Sequence, residues 1–412
     1  MPRNVIYVAP FPLETTLRFS AGIASLDDVR LLGIFREAPK GDAARLFADA
    51  EVIADPFDPQ QIVDAARRLA SRHGPIHRLL GILEDAQVQL AQARQALGLE
   101  GPSVETTVAF RDKAHMKERL RAAGLPCARH ALLHGPEAAW AFAESVGYPL
   151  VLKPPAGAGC RATYRVSSPQ ELHRVLGEAQ PGPGRPVLAE EFLTGAEYSF
   201  ETLTVGGQVR FHSITRYYPS PLEVMENPWI QWAVVLPRDI SGPEYQPVVN
   251  IGHQAVHAFG LQDGMTHMEW FRRPDGSVAI GEIAARPPGA RIVDVTGFAH
   301  TDVQGRPVDM YRAWARAVVD GAWDGPWQRR YAVGVAFLRG AGQGRIAAVE
   351  GLDEAQRRMG ALVIDARLPK IGWQRASGYE GEGTVIVRHE DTEVVKRAIM
   401  ELITTVKVRY ES

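Results

Sequence analysis

The stretch GMTHMEWFRRPDGSVAIGEIAAR, residues 264–286, reads as two strands joined by a tight turn. Asp275-Gly276 is a strong hairpin signal between two strand-like runs. With a two-residue loop there, Pro274 opposes Ser277. Counting outward then places Glu269 directly across from Glu282, and His267 across from Ala284. Cross-strand partners of this kind have Cβ atoms roughly 4.5–5.5 Å apart. Two carboxylates that close repel, so either one takes up a proton or a cation sits between them. Mg²⁺ suits the place: it is hard, prefers oxygen, and is usually held by one or two carboxylates plus substrate phosphates. Period-2 alternation puts Glu282, Ala284 and Arg286 on one face, where the guanidinium can grip a phosphoryl group with two hydrogen bonds. A bulge at the turn would move the register by one. The competing reading is a surface hairpin with solvated glutamates and a weak ion pair to Arg286 or Arg291.

A second feature lies upstream. YPLVLKP is a strand, PAGAGCR a glycine loop, and ATYRV another strand. The run GAGCRA fits the dinucleotide pattern G-x-G-x-x-A, but that pattern needs a helix after the loop to meet the pyrophosphate. A strand follows instead. The segment is therefore a glycine-rich hairpin, either a plain flexible one or one that folds over phosphates with its backbone N–H groups. Lys153 supplies a cation at its base. No G-x-x-x-x-G-K-[ST] motif is present, which disfavours a P-loop enzyme.

The first hundred residues alternate short strands (NVIYVA, VRLLGIF, EVIA) with amphipathic helices, a pattern of parallel sheet covered by helices. Ile62, Ala65, Ala66 and Leu69 form one stripe of the helix PQQIVDAARRLASRHG. DKAHMKERLRAAGLP is a helix stopped by Gly124 and Pro126. Ser168, Pro169 and Glu171 open another as a capping box. Strands dominate from Val187 to about Arg286, and a final block holds short strands and a closing helix. The expected organisation is mixed α/β and α+β in three parts: a parallel α/β part over 1–105, an antiparallel-sheet part over 106–329 with the glycine loop in a subdomain at about 125–190, and a small α+β part over 330–412.

Lys+Arg number 46 against Asp+Glu 48, a net charge of -2 that leaves no footprint for nucleic acid. No apolar run approaches the roughly 18–20 residues of a membrane helix. The start MPRNVIYVAPFP reads as a strand and loop rather than a signal peptide. Two cysteines, Cys127 and Cys160, make neither a disulfide scaffold nor a zinc site, as expected of a cytoplasmic protein.

Taken in order, Lys113, Lys153 with its glycine loop, AEEFLTGAEYSFE, and the Glu269, Glu282 and Arg286 set resemble the ATP-grasp superfamily of carboxylate–amine ligases. The C-terminal block is similar to the closing domain of its bacterial L-amino acid ligases, which form dipeptides. The resemblance implies the three-part ATP-grasp architecture, and ATP with Mg²⁺, or Mn²⁺, as cofactors. It implies that Lys113 and Lys153 contact the phosphates and that the loop Ala156–Arg161, including Gly157, Gly159 and Cys160, closes over them. Glu190, Glu191 and Leu193 would lie at the adenine and Glu197 at the ribose. Glu269 and Glu282 would bind the metal and Arg286 would steady an acyl phosphate. Many members carry Asn where this chain has Ala284, which removes one metal ligand and leaves water, His267 or a bidentate Glu282 to compensate. Cys160 is not read as a nucleophile, lacking a positioned base.

The expected chemistry joins a small-molecule carboxylate, an amino acid, to an amine, with a homodimer as one arrangement open to the chain. RYYPSPLEVMENPWIQW is the candidate substrate wall, with Glu226 for an α-ammonium and Trp229 and Trp232 for an apolar side chain; ordinary core aromatics are the alternative there. His267 and Arg291 are further substrate candidates. The competing functions are an ATP-grasp enzyme of nucleotide biosynthesis or carboxylation, a noncatalytic ATP-binding module, and a nucleotide-dependent oxidoreductase.

Overall fold

The computed structural model describes residues 2–157, 162–227, 229–376, 378 and 380–411. Four strands near the N-terminus form a parallel sheet in the order Asp49–Val52, Val29–Phe35, Arg3–Ala9, Ile76–Leu80. Alternation along Arg3–Ala9 splits its side chains between two cores. Val5, Tyr7 and Ala9 pack with Phe19 and Ile23 of the helix Glu14–Ala24. Ile6 and Val8 pack with Ile62, Ala65, Ala66 and Leu69 of the helix Pro59–His73. Asp58 caps that helix by accepting from the Gln60 N–H, and Pro59 opens it.

A second sheet carries the glycine hairpin. Its order is His130–Leu133, Val187–Glu191, Leu150–Lys153, Tyr164–Val166, all antiparallel. The helices Pro136–Val146 and Pro169–Ala179 supply its core partners Ala139, Phe142, Leu172 and Val175. Ser168 caps the second helix, and Glu171 reaches back to the Ser167 N–H at 2.7 Å.

The main sheet is antiparallel and eight-stranded. Its order is Val278–Ala284, Gly264–Arg272, Ala196–Val205, Gln208–Tyr218, Trp232–Leu236, Ala332–Leu338, Gly383–His389, Val363–Arg367. The last three strands come from the C-terminal block. That block is α+β as expected, but three of its strands continue the main sheet, Ala332–Leu338 bonding to Trp232–Leu236, while Ile346–Glu350 and Lys407–Tyr410 pair in a two-stranded sheet apart.

The run between Val187 and Arg286 also holds more helix than its composition suggested. Gln246–Phe259 is a 14-residue helix on the back of the main sheet, against Phe200 and Met268. Pro247, four β-branched residues and Gly252 masked its periodicity. Gly252 is there for packing, because a Cβ on it would stand 2.5 Å from the Phe200 ring. No helix of the described residues is long and apolar enough to cross a membrane.

Gly195 turns the chain into the strand Ala196–Val205 with φ +124°, and a Cβ there would lie 2.0 Å from the Arg272 carbonyl oxygen. Gly195→Ala is therefore expected to cost about 1–3 kcal/mol, through backbone strain and lost strand contact. A lowered urea midpoint at unchanged m-value is the check.

Candidate functional site

The hairpin turn is one residue longer than expected. Pro274, Asp275 and Gly276 form a three-residue loop closed by the Arg273 N–H on the Ser277 carbonyl, with Gly276 at φ +83°. Near the turn the register is accordingly shifted, with Arg272 opposite Val278 and Trp270 opposite Ile280. Gly281 is then the extra residue of a bulge. Beyond it Glu269 faces Glu282 and His267 faces Ala284. Two offsets cancel, and the carboxylate pair falls where the simpler count put it.

The neighbouring strand enlarges this face. Ser199 pairs with Glu269, Glu201 with His267 and Glu197 with Phe271. Paired residues in a sheet point the same way, so Glu197, Ser199, Glu201, His267, Glu269 and Glu282 share one side. His267 Nδ1 lies 3.0 Å from Glu201 Oε1, and its Nε2 lies 3.7 Å from Glu269. The Thr215 hydroxyl donates to the other Glu201 oxygen at 3.2 Å. Burial alone would strip the proton from His267, but hydrogen bonds to Glu201 and Glu269 outweigh it and push the imidazolium up to about 9.

Cations arrive from other elements. Lys113 and Lys117 lie one turn apart on the helix Lys113–Ala122, which Asp112 caps with two backbone hydrogen bonds. Lys113 Nζ is 2.7 Å from Glu282 Oε1 and 3.1 Å from the Gly157 carbonyl, which also accepts from Arg111 at 2.9 Å. Lys117, wholly buried, donates to the carbonyl of the bulge residue Gly281 at 2.8 Å and lies 3.3 Å from Glu190. Lys153 is 2.9 Å from the other Glu190 oxygen. Arg286 pairs through Nε with Glu84, from the short turn after the strand Ile76–Leu80.

These charges set the protonation states. Desolvation would raise Glu282, but Lys113, Lys153 and Arg286 hold it down at about 2. Lys153 stays charged against burial because Glu190, Glu282 and Glu269 surround it. Burial and the nearby Glu269 push Glu197 well above the ordinary carboxylate range, with Lys153 opposing.

The structure thus brings Lys113, Lys153, Glu190, Glu197, His267, Glu269, Glu282 and Arg286 into one charged neighbourhood. Lys113, expected at phosphates, sits on Glu282. Glu191 points the other way, to Arg129 and Arg273. Leu193 is buried with Ala128 and Ala279. Ala156 is exposed at the mouth of the loop, and Gly159 and Cys160 lie outside the described residues.

The proposed substrate wall is not assembled. Glu226 and Trp229 are exposed, and Trp232 stacks on Phe337 at 4.1 Å inside the core, as alternation along Trp232–Leu236 requires. Arg291 is ion-paired with Asp294 and Asp365.

Lys117, Glu201 and Glu84 went unread in the sequence. The i, i+4 spacing in DKAHMK and the alternation in EYSFE were signals for the first two. Nothing local points to Glu84, which meets Arg286 across 202 positions.

Among the described residues no group of three His, Cys, Asp or Glu could hold a metal ion. Magnesium does not need one. The two opposed carboxylates offer oxygen donors, and phosphates and water complete its shell. Ala284 adds no donor, and His267 in this arrangement is protonated and turned to Glu201. The donor set therefore fits one magnesium ion held by Glu269 and Glu282 with a polyphosphate.

Lys117→Met leaves the Gly281 carbonyl without its donor and half of the Glu190 charge unanswered, at an expected cost of about 3–5 kcal/mol at neutral pH. Burial raises Glu190, but the two lysines outweigh it and lower it below the ordinary range. Its contribution is therefore present at neutral pH and lost as pH falls through that depressed value. Urea titrations of both proteins should show the gap narrowing in acid.

A family model described as "ATP-grasp domain" matches residues 118–293. The L-arginine-specific L-amino acid ligase of Bacillus subtilis is 27% identical over 252 residues, 60% of this chain and 60% of that one. The chain thus spans about 60% of the length of that curated relative. The crystal structure of an L-amino acid ligase from Bacillus licheniformis superposes with a TM-score of 0.79 at 19% identity, covering 100% of this chain and 99% of the other. The N5-carboxyaminoimidazole ribonucleotide synthetase of Thermotoga maritima superposes with a TM-score of 0.71 at 18% identity, covering 99% and 100%. At such identities the likeness is one of fold. The opposed carboxylates, the lysines beside them and the strands that flank the glycine loop sit in an ATP-grasp fold, and residues 118–293 match the model of that domain.

Proposed function

We propose that the chain is an ATP-dependent, ADP-forming ligase that activates the carboxylate of an amino acid and joins it to an amine. The observation that carries this reading is the opposition of Glu269 and Glu282 inside a ring of Lys113, Lys153 and Arg286. Such a site can neutralise a polyphosphate and a transferring phosphoryl group. The family match and the two L-amino acid ligases among its relatives support it.

The substrate carboxylate oxygen attacks the γ-phosphorus of ATP, ADP leaves with the bridging oxygen, and an acyl phosphate forms. The amine nitrogen then attacks the acyl carbon, the bond from that carbon to the phosphate oxygen breaks, and the nitrogen gives up a proton. The protein's work is positioning and charge balance. Lys153, kept charged by Glu190, faces the phosphates. Lys113, which holds Glu282, exchanges it for a phosphate oxygen when nucleotide enters. Arg286 stays with the transferring phosphoryl group. Magnesium between Glu269 and Glu282 would screen the phosphate charge when bound. The glycine hairpin closes over the nucleotide and keeps water from the acyl phosphate. The three-part division of the chain follows the same roles, with the seams at about 105 and 330.

ADP release from Mg²⁺-ATP, measured across amino acids singly and in pairs, tests the reading. Release should depend on an amino acid and fall by about 10²–10³-fold in Glu282→Gln, the scale for losing one electrostatic group. Release equal in the variant, or none with any acid and amine, would overturn it.

A further inference from the structure

A cleft of about 230 Å³ lies where the N-terminal helix Glu14–Ala24, the loop after Arg286 and the turn ending at Thr384 meet. It is smaller than the roughly 300–1,000 Å³ typical of drug-sized ligands and suits one of amino-acid size. Its charges are unevenly matched. Arg18 pairs with Glu14 and Asp294, Arg291 with Asp294 and Asp365, and Arg367 with Glu14. Every arginine of the wall is thus answered by a carboxylate.

Glu380 and Glu382 are not matched in this way. Each accepts one backbone N–H, from Ala290 at 3.1 Å and from Ala376 at 3.0 Å. Among the described residues neither has a cation within ion-pair distance. Glu382 is only 7% exposed, and among the described residues no donor is in hydrogen-bonding geometry with its Oε2, which has the Tyr410 hydroxyl as a polar neighbour. A buried carboxylate oxygen without a donor is costly unless a ligand supplies one.

We infer that this cleft receives the side chain of a substrate amino acid bearing an ammonium or guanidinium group, met by Glu380 and Glu382. The ligand's role as substrate rests on the ligase reading above. Direction follows from the chain: Pro288–Arg291 line the cleft, and Arg286, placed at the reacting phosphoryl group, lies just before them. A carboxylate at Arg286 keeps its own α-ammonium one carbon away, so the group that reaches the cleft is the side-chain terminus. No wall arginine is spare for a second anion. Trp373, in the same wall, covers an aliphatic stem.

The test is calorimetric binding to the full chain of L-arginine and L-lysine against their neutral counterparts L-citrulline and L-norleucine, with Glu380→Gln alongside. Glu380 is exposed, so its variant is expected to fold. A cationic preference of roughly tenfold or more in the wild type, reduced to near parity in Glu380→Gln, is the expected result. Neutral analogues binding equally well, or a preference unchanged in the variant, would overturn the inference. ADP release driven only by neutral amino acids overturns it and leaves the ligase reading standing. Cationic preference without ADP release from any acid and amine supports the cleft and overturns the ligase reading.

Discussion

Two carboxylates held face to face across neighbouring strands, Glu269 and Glu282, set the terms for everything around them. Like charges so placed repel, and in a partly dry setting the repulsion is too large to leave unanswered. The fold answers it with side chains from distant segments. Lys113 comes from the helix Lys113–Ala122, Lys153 from the base of the glycine hairpin, and Arg286 from just beyond the carboxylate hairpin. Each links a different layer to the same strand pair, so the site and the packing of three sheets are one arrangement.

Buried ion pairs of this kind add little net stability, because desolvation offsets their attraction. Their value here is geometric. Lys117 illustrates it: one ammonium joins the carbonyl of the bulge at Gly281 to Glu190 on the strand Val187–Glu191, and Glu190 in turn holds Lys153. The bulge fixes which way Glu282 points, since a slip of one residue would turn it to the opposite face. A lysine with no surface exposure thus ties the register of the carboxylate hairpin to Lys153 at the base of the glycine loop.

The site was legible where its physics is local. Asp-Gly turn chemistry and period-2 alternation lie within about twenty residues, and they placed Glu269 opposite Glu282 and His267 opposite Ala284. That register held although the loop has three residues, because the bulge at Gly281 restores what the longer turn removes. Interactions across long stretches of chain were not legible. Glu84 on Arg286 and Lys117 on Gly281 follow from how sheets and helices dock. The helix Gln246–Phe259 was hidden by Pro247, its β-branched residues and a glycine chosen for contact with Phe200. Aromatic richness around Trp232 was read as a substrate wall because composition does not distinguish a pocket from a core. The cleft beside Pro288–Arg291 instead joins residues from both ends of the chain.

The most direct test of carboxylate activation follows one oxygen atom. If an amino acid labelled with ¹⁸O in its carboxylate is supplied with Mg²⁺-ATP and an amine, attack on the γ-phosphorus carries one labelled oxygen into the acyl phosphate. The later cleavage leaves that oxygen on the phosphate. The expected result is one ¹⁸O in the released phosphate and none in ADP. Turnover that releases unlabelled phosphate while the amide product forms, or label appearing in AMP, would contradict it.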